Sequence, residues 1–463
     1  MRNIYILLLL TFGLGQVEFI EHEIADVEHP EAIYVIDIDK DGDLDVLSAA
    51  INDGVQWHEN DGLNNFIPHT IDNSTNSRDV IAADIDGDGD NDVLASFSEM
   101  NQVIWYENDG LSNFTSHIIF SGADGVTQLA VSDLDSDGDI DVLSTSQRDD
   151  KIIWYENDGS GSFTPHIIEN NLDGASGIDI KDLDSDGDID IVASGIYGST
   201  GAINWYENDG NQSFTKHLVD GIKSTSVHAL DYDSDGDMDI VASSADINLI
   251  NWYENDGYNN FTSITISSTV NYPSSIYPID FDNDGDTDII SNSYYDGKII
   301  WHDNKGSGNY MQHIISSDAY NPSSIYAINM DGDNDIDIVV ALASANILVW
   351  YETTPGCTNP NATNYDETAN VDDGSCEYES PNDYDILIED FVINMDEQIT
   401  YEAQNIFSSD KFYYMKVSGL WGGGGSEIDD AVYSQIETGS PNLNVYWTWN
   451  RFDGCQYDYV ASH

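Results

Sequence analysis

The chain has 463 residues, with 86 Asp plus Glu against 13 Lys plus Arg and a formal net charge of −73. Nucleic acids and anionic membrane surfaces demand a basic face, which so few bases among so many acids cannot build. With 40% apolar and 11% aromatic residues and only 10 Pro, the chain can still bury a core, so an acidic disordered tract or a Pro-rich linker is excluded as well.

The first element is residues 1–16. Arg2 precedes an almost unbroken apolar run from Ile4 to Leu14, and Gly13, Gly15 and Gln16 close it. This pattern predicts a secretory signal peptide cleaved near Gly15 or Gln16. The run falls short of the roughly 20 apolar residues that span a bilayer, and no later stretch approaches that length. A secreted or cell-surface protein without a membrane span is expected, in an oxidising, calcium-rich compartment.

Residues 17–354 are dominated by internal repetition. The string Asp-x-Asp-x-Asp-Gly-Asp-x-Asp starts at Asp37, Asp84, Asp133, Asp182, Asp231 and Asp280, with a degenerate copy at Asn329; the steps are 47 residues and then 49 each time. A second string, mostly Trp-Tyr-Glu-Asn-Asp-Gly, begins at Trp57, Trp105, Trp154, Trp205, Trp252, Trp301 and Trp350. A third, Phe-x-x-His, begins at Phe66, Phe114, Phe163 and Phe214 and degrades at Phe261 and Tyr310. Each repeat reads as four short strands: into the acidic string, out of it, through the Trp, and through Phe-x-x-His. β-Branched and aromatic residues and Asn-Asp-Gly turns support strands, and no sustained helical period is present. The Trp350 repeat lacks its Phe-x-x-His, and that piece stands at the other end of the region, at Phe19 to His22. The expectation is an all-β, seven-bladed β-propeller whose last blade borrows its outer strand from the N-terminus, which leaves no open edge in the ring.

These strings resemble the FG-GAP and VCBS repeats, the calcium-loop propeller repeats also seen in integrin α-subunits. The resemblance covers about residues 17–354 and implies a secreted or surface propeller concerned with adhesion or ligand binding.

Five carboxylates in nine residues repel one another; a pair at about 5 Å costs close to 1 kcal/mol even in water. Alternating hard oxygen donors around a Gly turn select Ca²⁺. In the first loop Asp37, Asp39, Asp41 and Asp45 are expected to coordinate through side chains and Asp43 through its carbonyl. The same roles pass to Asp84, Asp86, Asp88, Asp90 and Asp92; to Asp133, Asp135, Asp137, Asp139 and Asp141; to Asp182, Asp184, Asp186, Asp188 and Asp190; to Asp231, Asp233, Asp235, Asp237 and Asp239; and to Asp280, Asp282, Asp284, Asp286 and Asp288. The seventh loop, with Asn329, Asp331, Asp333, Asp335 and Asp337, carries Asn in place of the first Asp and of the Gly, so six strong Ca²⁺ sites and a weaker seventh are expected. An EF-hand is excluded because its twelfth position must be acidic, whereas here it is Ser48, Ala95, Ser144, Ala193, Ala242, Ser291 and Val340.

The repeated Trp residues read as packing between blades, since the same position recurs in each. The repeated His residues, His22, His69, His117, His166, His217 and His313, fall on separate blades and cannot converge on one ion. Variation lies in the loops at the end of the ring opposite the acidic hairpins. There Tyr197, Tyr272, Tyr294, Tyr295, Tyr320, Arg78 and Arg148 form the expected ligand-binding rim, because aromatic and Arg side chains on loops anchor binding surfaces.

Beyond the ring, residues 355–380 resemble the cysteine-framed GCT…DDGSC repeat of secreted bacterial proteins. In that setting a Cys357–Cys376 disulfide is expected, and Asp366, Asp372 and Asp373 are further candidate Ca²⁺ ligands. Residues 381–463 alternate apolar and polar and read as a partial β-sandwich, with a likeness to secreted carbohydrate-binding jelly rolls. The chain stops at His463 with Cys455 unpaired, which points to a truncated module. The expected function is a monomeric, calcium-stabilised propeller that binds an extracellular glycan or surface protein, without catalysis. The alternatives are a propeller-type polysaccharide lyase, for which only Arg78, Arg148, Lys223 and His29 are available as rim bases, and a non-binding scaffold.

Overall fold

The computed structural model describes residues 19–198, 202–306, 308–333, 335–357, 362–365, 369, 371–372 and 376, and the backbone of 401–402 and 446–447. The chain divides into two units, 1–379 and 380–463. The expected signal peptide, Asp366, Asp373 and Cys455 lie outside the described residues. So does the expected sandwich, except that Tyr401–Glu402 pairs antiparallel with Tyr446–Trp447. Among the described residues no helix is long and apolar enough to cross a membrane.

The first unit is a seven-bladed β-propeller. Its seven four-stranded sheets occupy 30–72, 77–121, 126–169, 175–220, 226–267 and 276–316, and 322–352 with 20–26. Blade one shows the plan, from Pro30–Ile36 innermost through Asp45–Ala50 and Gly54–Asn60 to Phe66–Asp72 outermost. The second strand, Asp-Val-Leu-Ser-Ala-Ala, is buried along its whole length. It is covered on both faces by neighbouring blades, so it reads as a continuous apolar and small-residue run rather than an alternating one. The outermost strand, Phe66–Asp72, has no fully buried residue.

Each apolar cluster spans two blades. Leu47, Ala49 and Trp57 of blade one pack with Val80, Val93, Phe97 and Tyr106 of blade two. The ring closes as the sequence predicts: Ile20–Asp26 pairs antiparallel with Ile347–Glu352. His22 stands opposite Trp350 as His69 stands opposite Trp57. Even the register shift in the other outer strands recurs here, between Glu23 and Ala25. It turns Ile24 inward, 6% exposed, into the cluster that joins blade seven to blade one.

Polar links between innermost strands complete the ring. Asp79 accepts from Leu129 N at 2.7 Å, Gln128 from Ile178 N at 3.0 Å, Asp179 from Ala229 N at 2.7 Å and Ser275 from Ile325 N at 3.3 Å. The Ser324 hydroxyl accepts from Ile33 N at 3.4 Å, across the closure between blades seven and one.

Candidate functional site

Antiparallel blades divide the loops between two ends of the ring. Acidic hairpins and Asn-Asp-Gly turns share one end; the turns between second and third strands and the blade-to-blade connections share the other.

At the acidic end each nine-residue string folds back on itself through its own carboxylates. Asp37 accepts from Gly42 N at 3.1 Å, Asp39 from Asp41 N at 3.2 Å and Asp41 from Asp43 N at 3.1 Å. Ligand oxygens of Asp37, Asp39 and Asp41 then lie within 4.8 Å of one another, as do those of the corresponding trios in blades two, three and five. The seventh-position Asp points elsewhere. The Asp43 carboxylate rests on Gly62, which has φ +72° and where a Cβ would come within 2.5 Å of Asp43 Oδ2. That contact explains the Gly of the Asn-Asp-Gly turn, a role that sequence reasoning missed.

The ninth-position Asp is a strut. Asp45 is fully buried and accepts from Ile38 N at 3.1 Å and from Asn60 N at 2.8 Å, tying the acidic hairpin to the Trp strand. Each blade repeats this pair of bonds, to Asp337 with Met330 N and Thr353 N. Burial pushes Asp45 up to about 7 despite those donors. In blade four the same residue also joins the group, with Asp190 oxygen within 4.8 Å of Asp182 and Asp184.

Whether these loops fit a cation is answered by their unmet oxygens. One oxygen each of Asp37, Asp84, Asp135, Asp231 and Asp280 is buried and receives no hydrogen bond. Burial, and then the neighbouring Asp41 and Asp37 carboxylates, push Asp39 above its ordinary range. Converging hard oxygens without donors suit a divalent cation, which satisfies oxygen and charge together. The acidic clusters can hold metal ions. In the seventh loop the geometry differs: Asn329 Oδ1 accepts from Gly332 N at 2.7 Å, three residues on rather than five.

The repeated Trp and His residues are structural. Trp57 is 4% exposed, and its ring stacks on His69 at 4.5 Å between centroids. The partner that sequence reasoning missed is the acid two residues after each Trp, a Glu in every blade but the sixth, where it is Asp303. Glu59 holds His69 Nε2 at 2.6 Å, Glu156 holds His166 at 2.7 Å and Glu352 holds His22 at 2.6 Å. The signal was present, because that Glu and the His recur together in the two strings.

At the opposite rim Tyr272, Tyr294 and Tyr295 converge from the connection into blade six and from a turn of that blade, with centroid separations of 5.9, 4.8 and 5.4 Å. Tyr272 also lines a cavity of about 190 Å³ with Tyr197, Ile196, Lys223, Thr225 and Asp246. Tyr320 is 67% exposed, and the adjacent Asn321 donates to Tyr294 O at 2.9 Å. The two Arg residues are spoken for: Arg78 pairs with Glu31 at 3.0 Å, and Arg148 with Glu99 and, at 3.7 Å, Asp124. Cys357 and Cys376 are disulfide-bonded.

Seven blades, with carboxylate clusters able to take a cation in the acidic hairpins of at least blades one to five, define a repeat propeller with candidate metal loops. The FG-GAP-like repeat model matches residues 37–95, 86–144, 133–193, 182–242, 231–291 and 280–340, and the chain belongs to that family. No curated protein is significantly similar to it. Among solved structures, one concerns specific recognition of non-reducing terminal N-acetylglucosamine by an Agrocybe aegerita lectin. It is 19% identical, covers 63% of this chain and 81% of the lectin chain, and has a TM-score of 0.46. A crystal structure of BBS1N in complex with ARL6DN is 8% identical, covers 72% of this chain and 96% of its own, and has a TM-score of 0.52. The latter likeness is one of fold.

Proposed function

We propose that this protein is a secreted or cell-surface propeller, stabilised by Ca²⁺ in its acidic loops, that binds an extracellular glycan or surface protein without catalysis. In this reading residues 1–16 are a signal peptide, 17–354 the propeller, 355–380 the cysteine-framed segment and 381–463 a separate β-rich module. Ligand binds at the rim of Tyr197, Tyr272, Tyr294, Tyr295 and Tyr320, opposite the acidic loops. The Cys357–Cys376 bond fits an oxidising compartment. Arg78, Arg148 and Lys223 each pair with a carboxylate, which favours binding over uronate cleavage.

The observation that carries the reading is Tyr272. Its φ is +61°, in the left-handed region that a bulky residue seldom occupies. Equivalent connections place His29, Asn76, Gly125, Gly174 and Asn321 in that region, all residue types enriched there. A ring held there at a cost of roughly 1–2 kcal/mol is a feature that folding alone does not favour.

The test is a paired melt and titration. Glycan arrays and cell-surface binding identify a ligand, and Tyr272→Asn and Tyr295→Ala are then compared with Trp154→Ala. Tyr272→Asn is expected to melt at or above the wild-type temperature while losing about 1–3 kcal/mol of binding. Tyr295→Ala is expected to lose binding at unchanged stability, and Trp154→Ala to lose stability. Normal binding by both Tyr variants overturns the assignment of this face.

A further inference from the structure

In blades one to five the residue after the Trp-strand Asn is an acid: Asp61, Asp109, Asp158, Asp209 and Asp256. Each organises its own turn. Asp61 accepts from Leu63 N at 2.9 Å and from Asn65 N at 3.2 Å; Asp158 accepts from Ser160 N and Ser162 N at 3.0 and 3.2 Å. Blade six carries Lys305 at this place. An ammonium has no lone pair with which to accept those N–H groups. Its side chain turns instead into the neighbouring acidic loop. Lys305 Nζ lies 2.8 Å from Asp303 Oδ1, 3.3 Å from Asp282 Oδ2 and 3.5 Å from Asp284 Oδ2.

The carboxylates it meets are the ones a cation would need. Asp282 and Asp284 are the third and fifth positions of the sixth string, equivalent to Asp39 and Asp41. The side chains of Asp282 and Asp303 are 6% and 3% exposed, so their charge is poorly answered by water. Lys40 is different. It reaches across from blade one to Asp90 at 2.6 Å, a seventh-position carboxylate that lies over Gly110. Lys305 is thus the ammonium that enters a third- and fifth-position pair.

We propose that the ammonium of Lys305 is the resident counter-ion of the sixth acidic loop and displaces the divalent cation there, so that this loop keeps its shape without metal while the loops of blades one to five depend on it. The inference rests on reading the acidic loops as cation sites. One tethered positive charge against three carboxylates at these distances competes with a divalent ion for the same oxygens, and its attachment to the chain gives it a high local concentration. Asp280 keeps a buried oxygen without a donor, so removing the ammonium uncovers a ready ligand.

The test counts calcium per chain by equilibrium dialysis and metal analysis, on the full chain. Lys305→Ala and Lys305→Asp are each expected to bind one more ion than wild type. Asp282→Ala is expected to bind as many as wild type, whereas Asp135→Ala in blade three loses one. Equal counts for wild type and both Lys305 variants, or loss of an ion in Asp282→Ala, overturn the proposal. If the Lys305 variants fail to fold, the contrast of Asp282→Ala with Asp135→Ala decides. Absence of bound calcium from wild type and variants alike overturns the cation reading of the loops together with this inference, whereas a single ion lost only in Asp135→Ala leaves both standing.

Discussion

His58 and His302 stand where the other blades carry Tyr106, Tyr155, Tyr206, Tyr253 and Tyr351. The exchange keeps one hydrogen bond. Ser48 Oγ lies 2.9 Å from His58 Nε2, Ser291 Oγ 2.8 Å from His302 Nε2, and Ser144 Oγ 2.9 Å from the Tyr155 hydroxyl. It does not keep the proton chemistry. Burial lowers His58 to about 4 and His302 to about 3. An unfolded His takes up a proton near its ordinary value of about 6.5, so its contribution to stability is complete above that pH and is lost as pH falls toward the folded value. A Tyr stays neutral throughout. His58→Tyr is therefore expected to match wild type in urea unfolding near pH 7.5 and to exceed it by about 2 kcal/mol near pH 5. A difference that does not grow on acidification shows that His58 is not held neutral.

At the scale of the strand, the N-terminal Ile20–Asp26 does for blade seven what Phe66–Asp72 does for blade one. It brings Ile24 to the core, His22 to Trp350 at 4.4 Å and Glu352 at 2.6 Å. A chain that begins at Pro30 exposes the Ile347–Glu352 edge and loses the cover of Trp350. Aggregation on size exclusion and a markedly lower melting temperature are expected; a shortened chain that elutes and melts like the full one sinks the shared blade. This element was legible because three strings each occur seven times only when Phe19 to His22 is counted with the far end. The acidic trios were legible for the same reason, since spacing alone makes Asp37, Asp39 and Asp41 converge. Other features left no repeated mark. The links that join innermost strands use Asp79, Gln128, Asp179, Ser275 and Ser324, different residue types whose partners lie in the next blade. Arg78 and Arg148 looked free because Glu31 and Glu99, which pair with them, come from neighbouring blades. Lys305 interrupts a string, and only its three carboxylate neighbours give it a part.

Across the whole molecule the dominant quantity is the net charge of −73. Self-repulsion of that size opposes the compact state, and it is most concentrated at the acidic end of the ring. On the proposed reading each bound Ca²⁺ removes two charges where they are densest and fixes one hairpin. Ligand linkage gives about 2.7 kcal/mol per site when free calcium is one hundred times its dissociation constant, so several sites together rival the stability of an ordinary domain. Chelation is expected to lower the melting temperature steeply, and re-addition of calcium to restore it. Salt separates the two contributions. Raising ionic strength from 0.1 to 1 M shortens the screening length from about 10 to about 3 Å, which relieves repulsion between carboxylates without supplying a ligand to their unmet oxygens. The chelated protein is therefore expected to regain part of its lost melting temperature in 1 M sodium chloride, and the calcium-loaded protein to change little. Coincident melting curves with and without chelator, at both salt concentrations, exclude structural calcium. A chelated protein that recovers fully in salt shows that charge neutralisation alone holds the hairpins, and that Asp37, Asp84, Asp135 and Asp231 need no bound ion to keep their places.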